Sequence, residues 1–234
     1  SITKVTVDTG EVKPLVRELS DVRRPVWLAR GRELLFERVR NGVSSLGRAS
    51  LENPTSVTEV AAGEGSQRPL SITSDGATVF LSLAQTDKPP TIASYAVETG
   101  KVTLDLIHGV GKTVFHERLA PQQFFIKSSD GLEIPFFVWK PQNHSSKAIL
   151  YIHGGPHLQE LPDWDMRTQL AVEEGYTVAV PNYRGSVGYG GAFERWEDLA
   201  LQVQDVLAVA RYITTELKIE PSDMTVAGSS YGTT

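Results

Sequence analysis

The first half of the chain repeats itself. Val5-Thr6-Val7-Asp8-Thr9-Gly10-Glu11-Val12 returns ninety positions later as Tyr95-Ala96-Val97-Glu98-Thr99-Gly100-Lys101-Val102. Ala49-Ser50-Leu51-Glu52-Asn53-Pro54 stands as a weaker copy near the midpoint. Arg24-Pro25-Val26-Trp27-Leu28 matches Arg68-Pro69-Leu70-Ser71-Ile72 in the same way, 44 residues on. Behind each lies a turn residue and an apolar stretch: Gly31 before Leu34-Leu35-Phe36, and Asp75-Gly76 before Val79-Phe80-Leu81. A period of about 45 residues is that of a four-stranded propeller blade.

The Asp-Thr-Gly and Glu-Thr-Gly pieces read as hairpin turns, since glycine supplies the positive φ that a tight turn requires. Any β-rich segment can throw up such a turn, but two independent matches in one register favour repeats. About two and a half blades fit into residues 1–120, fewer than the roughly 4–8 that close a ring. A partial propeller leaves sheet edges and inter-blade faces open.

From Phe124 the periodicity changes. Phe124–Lys127 and Leu132–Trp139 read as two strands joined by a turn at Ser129-Asp130-Gly131. Lys147–Ile152, Thr177–Val180 and Met224–Ala227 read as buried strands of a sheet covered on both faces. Between them, Trp164–Glu174 has helical spacing and stops at Gly175, a left-handed cap. Glu197–Leu217 is the strongest helix: Leu199, Val203, Val206, Leu207, Ala210 and Ile213 form one stripe, with Gln202, Gln204, Arg211 and Thr214 elsewhere. Strand, helix, strand, helix, strand in this order implies a parallel α/β sheet.

Composition excludes several classes of function. With 40% apolar residues among 234, the chain has ample apolar surface for a core. There are 23 basic against 28 acidic residues, net −5, and no Lys/Arg block, so a nucleic-acid or anionic-membrane partner has no electrostatic support. Cysteine is absent, which removes disulfides, thiolate metal sites and a cysteine nucleophile, and suits a reducing, cytoplasmic compartment. No apolar run approaches the roughly 18 residues of a membrane span, and Ser1-Ile2-Thr3-Lys4-Val5 carries no secretion signal. The first residue is not Met, which leaves the true N-terminus open. No metal or organic cofactor is implied.

Chemistry concentrates in three glycine-rich loops, each behind a strand. Gly228-Ser229-Ser230-Tyr231-Gly232 fits G-x-S-x-G, a sharp strand-to-helix turn whose residues at −2 and +2 must be small. By this spacing Ser230 is the nucleophile, Ser229 the variable position, and Gly228 and Gly232 the elbow glycines. The pattern alone arises by chance; here a strand precedes it. His153-Gly154-Gly155-Pro156 follows the strand ending at Ile152, where such a loop lends a backbone N–H to an oxyanion hole. The donors would be the N–H groups of Gly155 and Tyr231, the bland reading of the first loop being a plain Gly-Gly-Pro turn. Pro181-Asn182-Tyr183-Arg184-Gly185-Ser186-Val187-Gly188-Tyr189-Gly190 contains neither a Walker nor a dinucleotide fingerprint. Its Arg184 reads as a loop-bracing ion-pair residue in preference to a catalytic one.

These three loops, in this order, resemble the prolyl oligopeptidase family of serine peptidases, and most closely its acylaminoacyl-peptidase and dipeptidyl-peptidase branches. Ser128-Ser129-Asp130-Gly131-Leu132-Glu133-Ile134-Pro135 resembles the start of that family's catalytic domain. The resemblance spans about residues 124–232, and the family places a propeller before its hydrolase domain, as the repeats require independently. It implies an α/β-hydrolase domain over 121–234, incomplete, behind a partial β-propeller over 1–120. It also implies Ser230 as nucleophile, Gly155 and Tyr231 as oxyanion donors, and a short peptide or acyl-peptide as substrate. A carboxylesterase on the same scaffold and a propeller binding module without catalysis are the competing readings.

Two departures stand out. The family usually has a further glycine after the elbow, where this chain has Thr233, a β-branched residue expected to crowd the packing. In addition, hydrolase triads run Ser…Asp/Glu…His along the chain, whereas all five histidines (His108, His116, His144, His153, His157) precede Ser230. None is expected to be the catalytic base: His153 and His157 lie in the oxyanion loop, the others on the propeller side or in a surface turn. The expectation is a fragment of a longer enzyme, or else a degenerate copy. It would be inactive alone and completed by its missing C-terminal part or by a homo-oligomer.

Overall fold

The computed structural model describes residues 2–16, 21–28, 31–53, 56–60, 65–106, 119–143, 145–195 and 197–234. They fall into two compact units, one holding the described residues up to 85 and from 90 to 106, the other 86–89 and those from 119 on.

The first unit is all strand. β1 (Ile2–Val5) and β2 (Val12–Val16) form a hairpin. Then come two four-stranded antiparallel sheets: β3 (Asp21–Leu28), β4 (Glu33–Arg40), β5 (Val43–Ser50) and β6 (Val57–Val60), and β7 (Ser66–Ile72), β8 (Thr78–Ala84), β9 (Thr91–Ala96) and β10 (Val102–Leu106).

The sequence repeats occupy matching places. Gly10 (φ 67°) and Gly100 (φ 69°) each donate 2.8 Å hydrogen bonds four residues back, to Thr6 and Ala96. Thr9 and Thr99 each accept at Oγ1 from the amide two residues on, at 3.3 Å. One hairpin has been built twice. The two Arg-Pro segments lie in the first strand of each sheet, and both shift register there, since proline has no N–H for the ladder. Arg24 and Arg68 converge on one carboxylate, that of Glu37, buried in β4. The weak copy, residues 49–53, begins at the end of β5 and leads toward β6; its Pro54 lies outside the described residues.

Alternation along β4 sends Leu34 and Phe36 to one face, against Ile2, Val16 and Val22, and Leu35 to the other. There Leu28, Leu35 and Leu46 meet Val79, Leu81, Ala93 and Tyr95 of the next sheet. Burying each such side chain contributes about 1.5–3 kcal/mol. Arg48 crosses this seam: it grips Glu33 at 2.6 and 3.2 Å and donates to the Tyr95 hydroxyl (3.2 Å) and the Val97 carbonyl (2.9 Å).

The second unit is a five-stranded sheet ordered β11-β12-β14-β13-β15, made of β11 (Gln122–Lys127), β12 (Glu133–Trp139), β13 (Lys147–Ile152), β14 (Tyr176–Pro181) and β15 (Met224–Gly228). The expected parallel arrangement holds for β13, β14 and β15, while the β11–β12 hairpin adds an antiparallel margin. Both faces are apolar because both are covered. Ile134, Phe136, Val138, Leu150 and Ala179 pack on Val209 and Ile213 of α2 (Leu199–Thr215), and Phe137, Trp139, Val178 and Val180 on Val172 of α1 (Met166–Glu173).

The helices start later than expected, because Asp165 and Asp198 take the cap positions, each accepting an amide N–H at 3.0 Å. Gly175 (φ 84°) closes α1 as expected, donating to Val172 at 2.9 Å.

Two expectations need correction. β15 is not buried: it is an edge strand, and Val226 is 61% exposed. The apolar stripe of α2 is not its inward face throughout, since Leu199, Val203 and Leu207 are exposed while Gln202 and Asp205 are buried. The physical reason lies in the hydrogen bonds that hold these two polar side chains inside. Among the described residues, no helix is long and apolar enough to cross a membrane.

Candidate active site

β15 delivers Ser230 to the end of the sheet beside β13. Gly228 pairs with Ile152, and the Ser229 N–H donates to the Ile152 carbonyl at 3.1 Å. The chain then folds into a single 3₁₀ turn, Ser230–Thr233, with the Gly232 N–H donating to Ser229 at 2.9 Å. Ser230 itself has φ 51°, a left-handed conformation uncommon for a non-glycine residue. Both flanking glycines are needed for so sharp a reversal. A Cβ on Gly228 would stand 2.2 Å from the Gly232 carbonyl oxygen, and one on Gly232 would stand 2.3 Å from that of Ile152. Thr233 does not crowd the turn: its side chain is exposed, and Oγ1 donates to the Ser230 carbonyl at 2.6 Å.

The His-Gly-Gly-Pro loop lies against this turn. A Cβ on Gly154 would come within 2.9 Å of the Ser229 carbonyl oxygen and 3.2 Å of Ser230 Cβ. Gly155 has φ 134°, where its own Cβ would meet the His157 amide nitrogen at 2.9 Å. Gly154, Gly155, Ser229 and the exposed Ser230 share one open cleft of about 450 Å³, walled by Tyr151, Leu158 and Arg167. The structure thus brings Ser230, Tyr231, Gly155 and both elbow glycines to one end of the sheet.

His153 supports the loop from beneath. It is buried, stacked on Tyr183 at 4.5 Å, and its backbone carbonyl accepts from the Tyr183 hydroxyl at 2.9 Å. Burial pushes the imidazole pKa down, favouring the neutral ring. Nδ1 faces the Gly154 carbonyl at 2.7 Å, and Nε2 faces the Ser186 Oγ at 3.0 Å, whose own proton goes to the Tyr183 carbonyl at 2.6 Å. His153 is thus fully engaged in holding the loop. His157 is exposed, and His108, His116 and His144 lie outside the described residues.

The third loop is a brace. Arg184 binds Asp205 through Nε and Nη2 at 2.8 Å and through its own amide at 2.9 Å. The same guanidinium grips Asp130 of the β11–β12 turn at 2.8 and 3.0 Å. Arg184, followed by the Leu132 amide, pulls the Asp130 carboxyl down to a pKa of about 2. One guanidinium thus satisfies both carboxylates. Gln202 completes the network: its Nε2 donates to the Arg184 carbonyl at 3.0 Å, and its Oε1 accepts from the Tyr231 hydroxyl at 2.6 Å.

Sequence reasoning did not find Ser186, Gln202, Asp205 or Asp130 as parts of this site. Their partners lie 18 to 54 positions away, with no linear spacing to read. Among the described residues, no cluster of His, Asp and Glu could hold a metal ion.

Residues 162–234 match the profile described as "Prolyl oligopeptidase family". The chain is 28% identical to a prolyl endopeptidase of Elizabethkingia meningoseptica over 165 residues, 66% of this chain and 23% of that protein. It is 31% identical to acylamino-acid-releasing enzyme 1 of Oryza sativa subsp. japonica over 114 residues, 45% of this chain and 14% of that one. Its fold is that of a puromycin hydrolase crystal structure, at TM-score 0.78 and 22% identity, over 98% of this chain and 37% of the other. The chain therefore spans about a quarter or less of the curated relatives it matches. The likeness that three glycine-rich loops suggest is borne out: residues 162–234 match the prolyl oligopeptidase family, and the relatives the chain resembles are peptidases of which it covers only part of the length.

Proposed function

We propose that this chain carries the nucleophile half of a serine peptidase of the prolyl oligopeptidase type, hydrolysing short peptides or acyl-peptides by acyl transfer. In this reading residues 1–120 are a partial β-propeller of about two and a half blades, and 121–234 the first part of an α/β-hydrolase domain. The observation that carries it is Ser230: exposed, at φ 51°, on a strand-to-turn reversal with Gly154 packed against it.

Ser230 Oγ attacks the scissile carbonyl, and the N–H groups of Gly155 and Tyr231 stabilise the resulting oxyanion. A histidine takes the serine proton and an acidic residue orients that histidine. In this reading these two groups belong to the length of its relatives that this chain does not span, and His153 is committed to Gly154 and Ser186. The 234-residue chain alone accordingly turns over neither peptide amides nor esters, because an unactivated serine hydroxyl is a poor nucleophile at neutral pH. A cytoplasmic setting suits its lack of cysteine.

The test uses the complete gene product, a fluorophosphonate probe, and paired amide and ester substrates of short acyl-peptides. Labelling at Ser230 is expected, and Ser230→Ala should lower the hydrolytic rate by several orders of magnitude. Undiminished hydrolysis by Ser230→Ala would overturn the assignment. Turnover of esters without amides would replace the peptidase by a carboxylesterase.

A further inference from the structure

We propose that Gln202 is a positioning residue for the oxyanion site, fixing the Ser230–Tyr231 peptide through the Tyr231 hydroxyl. The inference rests on the reading of Ser230 as nucleophile and of the Tyr231 N–H as oxyanion donor.

Ser230 holds a strained backbone conformation, at φ 51°. A non-glycine residue at positive φ costs about 1–3 kcal/mol and persists only where its surroundings over-determine it. Here the turn that follows is short: beyond the flanking glycines, the Gly232 and Thr234 amides and the Thr233 hydroxyl are all bonded within residues 229–234. The turn is tied to the sheet on its entry side, by the Ser229 N–H on the Ile152 carbonyl at 3.1 Å, and these three bonds add no tie beyond Ser230. The peptide whose N–H must aim at the oxyanion is the one linking Ser230 to Tyr231, so the side chain of Tyr231 is the nearest lever on its orientation.

That lever is anchored. The Tyr231 hydroxyl donates to Gln202 Oε1 at 2.6 Å, and Gln202 is buried in the first turns of α2. The amide of Gln202 has one workable orientation. Its Nε2 faces the Arg184 carbonyl at 3.0 Å, a group that only accepts, so Oε1 must face the tyrosine. Arg184 is held in turn: its N–H and its guanidinium both bind Asp205 of the same helix, and the Gly185 N–H of the peptide that Gln202 binds donates to the Phe193 carbonyl at 2.8 Å. A single rigid route therefore runs from α2 to the turn.

A positioning role acts on the transition state and not on substrate binding, because the oxyanion exists only there. The experiment is a double-mutant cycle in the complete gene product, with Gln202→Met, Tyr231→Phe and the pair, assayed on an acyl-peptide ester. Each single variant should lower kcat about tenfold with KM within twofold. The double variant should fall no further than Gln202→Met, since the one hydrogen bond that Tyr231→Phe deletes is already lost there.

Unchanged kcat in either folded single variant, multiplying losses in the double, or a rise in KM in place of the fall in kcat would overturn the inference. Should Gln202→Met fail to fold, Tyr231→Phe decides alone, because it deletes only the hydroxyl. Ser230→Ala separates the two levels: its retained activity sinks the nucleophile reading itself, while its inactivity beside unaffected pair variants sinks only the role of Gln202.

Discussion

Gly228 and Gly232 face each other across the reversal so closely that a methyl group on the first would sit 2.2 Å from the carbonyl oxygen of the second. Backbone cannot yield there as a flexible side chain could. Gly228→Ala is expected to destabilise the second unit by about 1–3 kcal/mol. In the complete gene product it should also abolish fluorophosphonate labelling of Ser230. Urea unfolding and labelling gels check the two effects separately.

The duplicated hairpin makes a sharper prediction about the first unit. Gly10 and Gly100 hold the same φ within two degrees, and a Cβ added to either would meet nothing closer than 3.9 Å, so alanine at either is penalised by conformation alone. Gly10→Ala and Gly100→Ala should each cost about 1–2 kcal/mol, and the two costs should agree. Unequal shifts in urea midpoint would show that the two turns are not equivalent.

Asp205 is wholly buried, and its carboxylate is matched by Arg184. Asp205→Ala leaves the guanidinium with only the half-exposed Asp130, and a loss of about 3–5 kcal/mol is expected, as for other broken buried pairs. Asp130→Ala should cost clearly less. Comparing the two by thermal unfolding tests which carboxylate carries the brace.

Asp130 also predicts an acid sensitivity. Its folded pKa of about 2 lies below the ordinary 3.8, so the native state stays ionised where the unfolded chain takes up a proton. The stabilisation is complete above the ordinary value and is lost as pH falls from there toward 2. Asp130→Asn should flatten the pH dependence of stability across that window, read from urea midpoints at successive pH values.

Much of this molecule was legible in its residues, for reasons that differ by element. The paired hairpins could be read because a left-handed turn position selects glycine, whatever surrounds it. The two loops at the cleft could be read because close backbone approach leaves no room for a Cβ, as Gly154, Gly228 and Gly232 show. The inner face of α2 could not. Hydropathy assigns Leu199, Val203 and Leu207 to the interior and Gln202 to the outside, whereas hydrogen bonds to Arg184 and Tyr231 draw the glutamine in. The burial of β15 was misread for a related cause: an apolar strand looks the same at the edge of a sheet as at its centre.

Edge position has a consequence for the reversal that β15 carries. The strand is laced to β13 along one side only, and among the described residues no further strand secures the other. Taken as these 234 residues alone, residues 224–234 are expected to exchange their amide hydrogens with solvent well before β12 or β14, each of which is paired on both sides.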